Sequence, residues 1–217
     1  MDAAYEYFLQ HRDRIIVLAV VVAVVAGVGY GIYTWRSARN RSAAAMLAQG
    51  INTLHTPLLS SGTPSGTSTF ANTATRATAA AKQFQAVIDQ YGSTESGQLA
   101  NFYLGLAQVD ENSPEATKTL ETAAASGDST VAAAAKHALA NLDIAAGKLP
   151  EAHALLLELT HQDSALLPRS VALIELADLD RTYNPKEAAQ FYRQLQTDYP
   201  STSIAQQAQQ QLASLKQ

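Results

Sequence analysis

The sequence predicts an all-α chain: an N-terminal transmembrane helix followed by an α-solenoid of helix-turn-helix repeats. Three observations carry that prediction. Residues 15–35 form a run of 21 residues without a charge. The composition is rich in alanine, leucine and glutamine, with only 11 glycines and 7 prolines in 217 residues, which favours helices throughout. Behind the apolar run, one pattern of helix-facing residues recurs at a spacing of about 36, the mark of a stacked repeat.

The apolar run comes first. At ~1.5 Å per residue, residues 15–35 cover a hydrocarbon core of ~30 Å, and Tyr30, Tyr33 and Trp35 supply the rings expected at a membrane–water interface. A cleaved signal peptide has a shorter apolar region followed by small residues. Here Trp35-Arg36-Ser37-Ala38-Arg39-Asn40-Arg41 follows, so an uncleaved anchor behind a 1–14 tail is expected. Ala19, Ala23, Gly27 and Gly31 recur every four residues, a small-residue seam along which a second membrane helix could pack. The general frequency of Gly in membrane helices accounts for the same seam without a partner.

Charge constrains partners more firmly than topology. Residues 1–41 hold five arginines and three acids, and the remainder holds ten Lys/Arg against sixteen Asp/Glu, a net of −6. That balance opposes phosphate neutralisation and excludes a nucleic-acid partner. Two arginines precede the span and three follow it, so the positive-inside count leans by one charge to repeats in the cytoplasm. The residues alone leave orientation open.

Residues 36–59 read as a juxtamembrane helix. Residues 60–69 are Ser, Thr, Gly and Pro and read as a flexible loop; its Gly62-Thr63-Pro64-Ser65-Gly66 lacks the spacing of a nucleophile elbow. The repeat domain is expected over 70–217. Glu115-Ala116, Glu151-Ala152 and Glu187-Ala188 are 36 apart, and Ala80 lies 36 further upstream. Four residues after each alanine come Phe84, Leu120, Leu156 and Tyr192; seven after come Val87, Ala123, Leu159 and Leu195. That i, i+4, i+7 stripe predicts one buried helix face, four times over. Ser113-Pro114 and Asn184-Pro185 read as caps followed by proline in the first turn, with Glu187 completing a box from Asn184. Partner helices are expected at 96–109, 130–146, 168–182 and 201–215. Tyr91, Ser93-Thr94 and Ala100 reappear 108 residues later as Tyr199, Ser201-Thr202 and Ala208, three periods of 36.

Two-helix units with small residues at the crossings and an aromatic residue four after an alanine follow the tetratricopeptide pattern. With Tyr5-Glu6-Tyr7-Phe8-Leu9 before the apolar run and Tyr33-Thr34-Trp35-Arg36-Ser37 at its end, nearly the whole chain resembles the YfgM-like family. These are single-pass inner-membrane proteins with a tetratricopeptide-like domain that serve as ancillary subunits of the Sec translocon. The resemblance implies a bacterial inner-membrane location with the repeats in the periplasm. It implies as partners the Sec translocon subunits, a periplasmic chaperone and translocating polypeptides, besides the lipid bilayer. The segment Tyr199-Pro200-Ser201-Thr202 also resembles the inter-repeat signature of the Tol-Pal coordinator and of the outer-membrane assembly lipoprotein, so a structural scaffold of the envelope is the alternative. The repeats depart from a strict pattern at Asp143 and Glu175, where apolar residues belong.

No chemistry of turnover is expected, and no cofactor. The chain has no cysteine, which removes disulfides and thiolate metal sites. The histidines, among them His153 and His161 eight residues apart, lack the one-turn spacing of a helical metal pair and read as surface residues. Asp178 and Asp180 read as parts of a solvated face. There is no phosphate-binding glycine loop and no small-molecule site. A repeat stack suits the holding of a polypeptide on an extended concave surface, and membrane tethering raises its effective concentration beside membrane partners. Carrying the tetratricopeptide register onto Ala152 assigns His137 and Asn141 to that surface, with Phe102 and Leu173 as the equivalents in the flanking units.

Overall fold

The computed structural model of the chain describes the backbone of residues 2–59 and 69–215, with side chains of the first helix described from Val21 onward. Nine helices run through the described residues: α1 (Asp2–Leu54), α2 (Thr73–Tyr91), α3 (Glu95–Asp110), α4 (Ala116–Ala124), α5 (Ser129–Ala145), α6 (Leu149–Leu159), α7 (Arg169–Tyr183), α8 (Pro185–Asp198) and α9 (Ser203–Ser214). Each packs on the next, and α1 on α3, α3 on α5 and α7 on α9 also touch. Contact with the next helix and the next but one is the arrangement of a solenoid of helix pairs.

α1 is continuous for 53 residues, about 80 Å at the α-helical rise. It has no break at residue 35 and ends at Leu54, five residues before the end expected for the juxtamembrane helix. Its lower half, around Leu47, joins a core with Ala77, Ala80, Phe84 and Val87 of α2 and Ala100, Leu104 and Ala107 of α3. No helix among the described residues is long and apolar enough to cross a membrane. Of the expected span 15–35, residues 15–20 lie outside the described side chains. Most of the expected loop, 60–68, lies outside the described residues; on its two sides Leu59 N–H donates to Phe70 O and Phe70 N–H to Pro57 O.

The 36-residue stripe is the core. Phe84, Leu120, Leu156 and Tyr192 have no exposed surface, and Ala80, Ala116, Ala152, Ala188, Val87, Ala123, Leu159 and Leu195 are buried with them. Small residues let the helices approach one another closely. At Gly97 an added Cβ would lie 2.1 Å from Tyr91 O and 2.6 Å from Gly92 Cα, so the start of α3 passes directly over the end of α2.

Local signals set the turns. Thr94 and Thr202 do the same work 108 residues apart. Each hydroxyl donates to the preceding tyrosine carbonyl, Tyr91 O at 2.7 Å and Tyr199 O at 2.6 Å. Each oxygen also accepts from an amide three residues on, Gly97 N–H and Ala205 N–H, which caps α3 and α9. Asn112 and Gly147, at φ 56° and 73°, occupy the left-handed position after α3 and α5. There Ser113 N–H reaches Gln108 O and Lys148 N–H reaches Asp143 O, closing both helices with the same C-terminal motif. Two expected caps are not formed. Asn184 makes no side-chain cap on α8, because its backbone is taken up in closing α7 through an N–H donated to Asp180 O at 2.7 Å. α4 begins at Ala116, after Pro114, and Ser113 Oγ accepts only from Glu115 N–H at 3.3 Å.

Candidate functional site

The first helices of successive pairs, α3, α5 and α7, carry the residues assigned to the binding surface. His137 on α5 is half-buried and its Nε2 lies 2.6 Å from Glu175 Oε2 on α7. A carboxylate only accepts, so Nε2 carries the proton in this contact. Asn141, one turn on and exposed, holds its amide nitrogen 3.5 Å from the same Nε2. That nitrogen is already donating, which leaves the Asn141 amide free to offer a donor and an acceptor outward, the pair a peptide backbone requires. Beside them Lys136 Nζ meets Glu158 Oε1 at 2.5 Å, binding α5 to α6.

The other two assigned residues differ. Phe102 on α3 is partly exposed, packs on Ala123, Val131 and Ala135, and leans on Tyr103 with ring centroids 5.4 Å apart. Tyr103 in turn stacks on the buried Phe84 at 5.5 Å. Leu173 is a correction: it is 1% exposed and lies in the core with Ala177, Ala188 and Tyr192, so it has no surface to give a partner. Two residues along an α-helix turn it by about 200°, and it is Glu175, not Leu173, that α7 presents to α5. The sequence signal for Glu175 was its place in a position that a strict repeat fills with an apolar residue.

Of two further acids, Asp178 lies on an exposed face as expected and Asp180 does not. Asp178 accepts a hydrogen bond from Tyr192 O–H at 2.5 Å; burial, and then this bond, raise the Tyr192 hydroxyl well above the ordinary tyrosine value. Asp180 is 4% exposed. Burial raises its carboxyl above the usual carboxylate range, opposed by His153 and reinforced by Glu187. His153 is only partly a surface residue: its side chain is 29% exposed, but its Nε2 is buried, 3.4 Å from Asp180 Oδ2.

At the other end, α1 presents an open apolar surface. Val21, Val22, Val24, Val25, Val28, Ile32, Tyr30, Tyr33 and Trp35 are each more than half exposed. The small-residue seam lies open beside them: Ala23, Gly27 and Gly31 are exposed, and nothing lies within 4 Å of a Cβ added at Gly27 or Gly31. Ala19 lies outside the described side chains. Below this stretch Arg39 fastens α1 to the repeats. Its guanidinium sits over Trp35 and Tyr91, 5.6 and 5.5 Å from their ring centres, and donates to Gln90 O at 2.7 Å. An open cleft of about 890 Å³ lies here, lined by Trp35, Arg36, Arg39, Arg41 and Thr94 among others.

Stacked helix pairs, with His137 and Glu175 joined across the first helices α5 and α7, define a helical-repeat scaffold. The tetratricopeptide repeat-like domain model matches residues 6–168, three quarters of the chain, and the chain belongs to that family. Two crystal structures are similar to it: TPR-like repeats from Podosopora anserina assigned to a kinesin light chain, and a point variant of them. Each is 20% identical with a TM-score of 0.52, covering 65% of this chain and 78% and 77% of theirs; the likeness is one of fold. Among proteins of curated function, no relative matches. Tetratricopeptide-like domains are in general protein-interaction scaffolds, and the fold is typically a binding one, not a catalytic one.

Proposed function

We propose that this chain is a membrane-anchored protein-binding scaffold, an accessory, chaperone-like subunit of the Sec translocon that acts on secreted or envelope polypeptides. The observation that carries the reading is the exposed apolar stretch of α1 from Val21 to Trp35, continuous with a helix that enters the repeat core. An apolar surface of this extent is covered in the cell by lipid or by protein, and the uncharged sequence 15–20 extends it to a bilayer's length. Trp35 and the arginines at 36, 39 and 41 then fall at the headgroup level, where aromatic and cationic side chains are favoured. The repeats stand immediately beyond, in the periplasm, with His137, Asn141 and Phe102 on the contact surface and Glu175 orienting His137.

The test is affinity purification of the full chain in mild detergent, beside the double variant His137→Glu, Asn141→Lys. Recovery of translocon subunits with the parent, and loss of polypeptide clients with the variant at unchanged helicity, is the expected result. Recovery of envelope-assembly factors in place of the translocon would overturn the translocon reading, and client capture unaffected by the variant would move the contact surface off α5.

A further inference from the structure

Three consecutive helices bring His153 of α6, Asp180 of α7 and Glu187 of α8 to one point, with a ligand atom from each lying within 4.8 Å of the others. Asp180 is the buried carboxylate among the described residues. Its Oδ2 and the Nε2 of His153 are both buried and neither has a hydrogen-bond partner. An ionised carboxylate withdrawn from water is normally paired, hydrogen-bonded or bound to a metal. The 3.4 Å between these two atoms is too long for a charge-assisted N–H to carboxylate bond, which runs at about 2.7–2.9 Å. It matches the edge of a tetrahedron whose ligand bonds are ~2.1 Å, about 3.4 Å. Glu187 is exposed and long enough to swing its carboxylate onto the third vertex, leaving the fourth to solvent.

We propose that His153, Asp180 and Glu187 form a binding site for a borderline-soft divalent transition-metal ion of the zinc class. One imidazole with two carboxylates selects such an ion over calcium or magnesium, which take all-oxygen shells of six or more ligands. Position in the fold gives the ion a structural task. The connection between α6 and α7 is nine residues, 160–168, against five or fewer at every other connection from α2 onward. The family match ends at residue 168. A bound ion staples the last helix of the matched region to the two helices that follow it, across the weakest tether in the stack.

The experiment uses the full chain in detergent without a polyhistidine tag, stripped with chelator and titrated at about pH 7.5, where imidazole is neutral. Zn²⁺ is followed by calorimetry and Co²⁺ by the visible bands of four-coordinate cobalt. One equivalent should bind per chain and raise the melting temperature. His153→Gln and Asp180→Asn should abolish binding, while His161→Gln should leave it unchanged. Glu187→Gln, an exposed change that leaves the fold intact, should weaken it at least tenfold, and decides the matter if either buried variant fails to fold. Absence of saturable binding, or binding that survives Glu187→Gln undiminished, would overturn the proposal; so would a chain whose melting temperature is indifferent to Zn²⁺.

Discussion

Leu156 has no exposed surface and sits with Ala140 of α5 and Leu176 of α7, so truncating it empties a space that three helices enclose. Leu156→Ala should cost about 2–5 kcal/mol, whereas Glu151→Ala, exposed at the start of the same helix, should cost well under 1 kcal/mol. Thermal melts followed by circular dichroism resolve the two, since each kcal/mol moves the midpoint by roughly 2–4 °C in a chain of this size. Tyr192 fills the equivalent place one repeat later with a polar tip. Tyr192→Phe should cost about 1 kcal/mol at neutral pH through the lost bond to Asp178. Because the folded-state hydroxyl is raised, the unfolded chain loses its proton first. The contribution is therefore complete below about pH 10, the unfolded value, and is lost as pH rises above it. Urea melts should show the parent losing its advantage over Tyr192→Phe on going from neutral to strongly alkaline pH; an advantage that grew with pH would contradict the assignment.

At the level of the elements, the close crossing of α2 and α3 rests on a missing side chain. An alanine inside a helix ordinarily gains about 1 kcal/mol over glycine, yet Gly97→Ala would drive a methyl into the backbone of Tyr91 and Gly92, which cannot swing away. Gly97→Ala should lower the melting temperature and Gly127→Ala, which meets nothing within 4 Å, should not. Equal effects of the two would mean that α3 does not lie against the end of α2 as described. The threonine turns show why the first and last units match in sequence: a hydroxyl that both donates back to a tyrosine carbonyl and accepts from the new helix sets where one helix stops and the next starts. The cap read at Asn184 failed because α7 and α8 are separated by a single residue, too few for one asparagine to serve both ends. The cap read at Ser113 failed because α4 begins only at Ala116, whereas the Ser113 hydroxyl reaches no further than Glu115 N–H.

For the whole molecule, the decisive measurements concern the proposed membrane anchor. The chain should remain with membranes through high-salt and alkaline carbonate extraction, since a spanning helix is held far more strongly than an interfacial one. A phosphatase fused after Gln217 should be active, and a fluorescent reporter confined to the cytoplasm should be dark there. Release by carbonate would remove the anchor, and the reverse reporter pattern would remove both the periplasmic placement and the translocon reading that depends on it.

The sequence by itself determined the helical class, the 36-residue register and the identity of the core. Those follow from periodicity, and a stripe at i, i+4, i+7 has one face to bury wherever the helix is placed. Phe84, Leu120, Leu156 and Tyr192 were legible for that reason. The site was legible only in part: His137 and Asn141 lie on an accessible face, Leu173 does not, and Glu175 takes its place. The meeting of His153, Asp180 and Glu187 could not be read at all. Periodicity says which face of a helix turns inward, but the rotation of α7 against α5 and α8 depends on how side chains from three helices interlock. That rotation buries Asp180, turns Glu175 toward His137, and sends Leu173 into the core, and only the packed tertiary structure decides it.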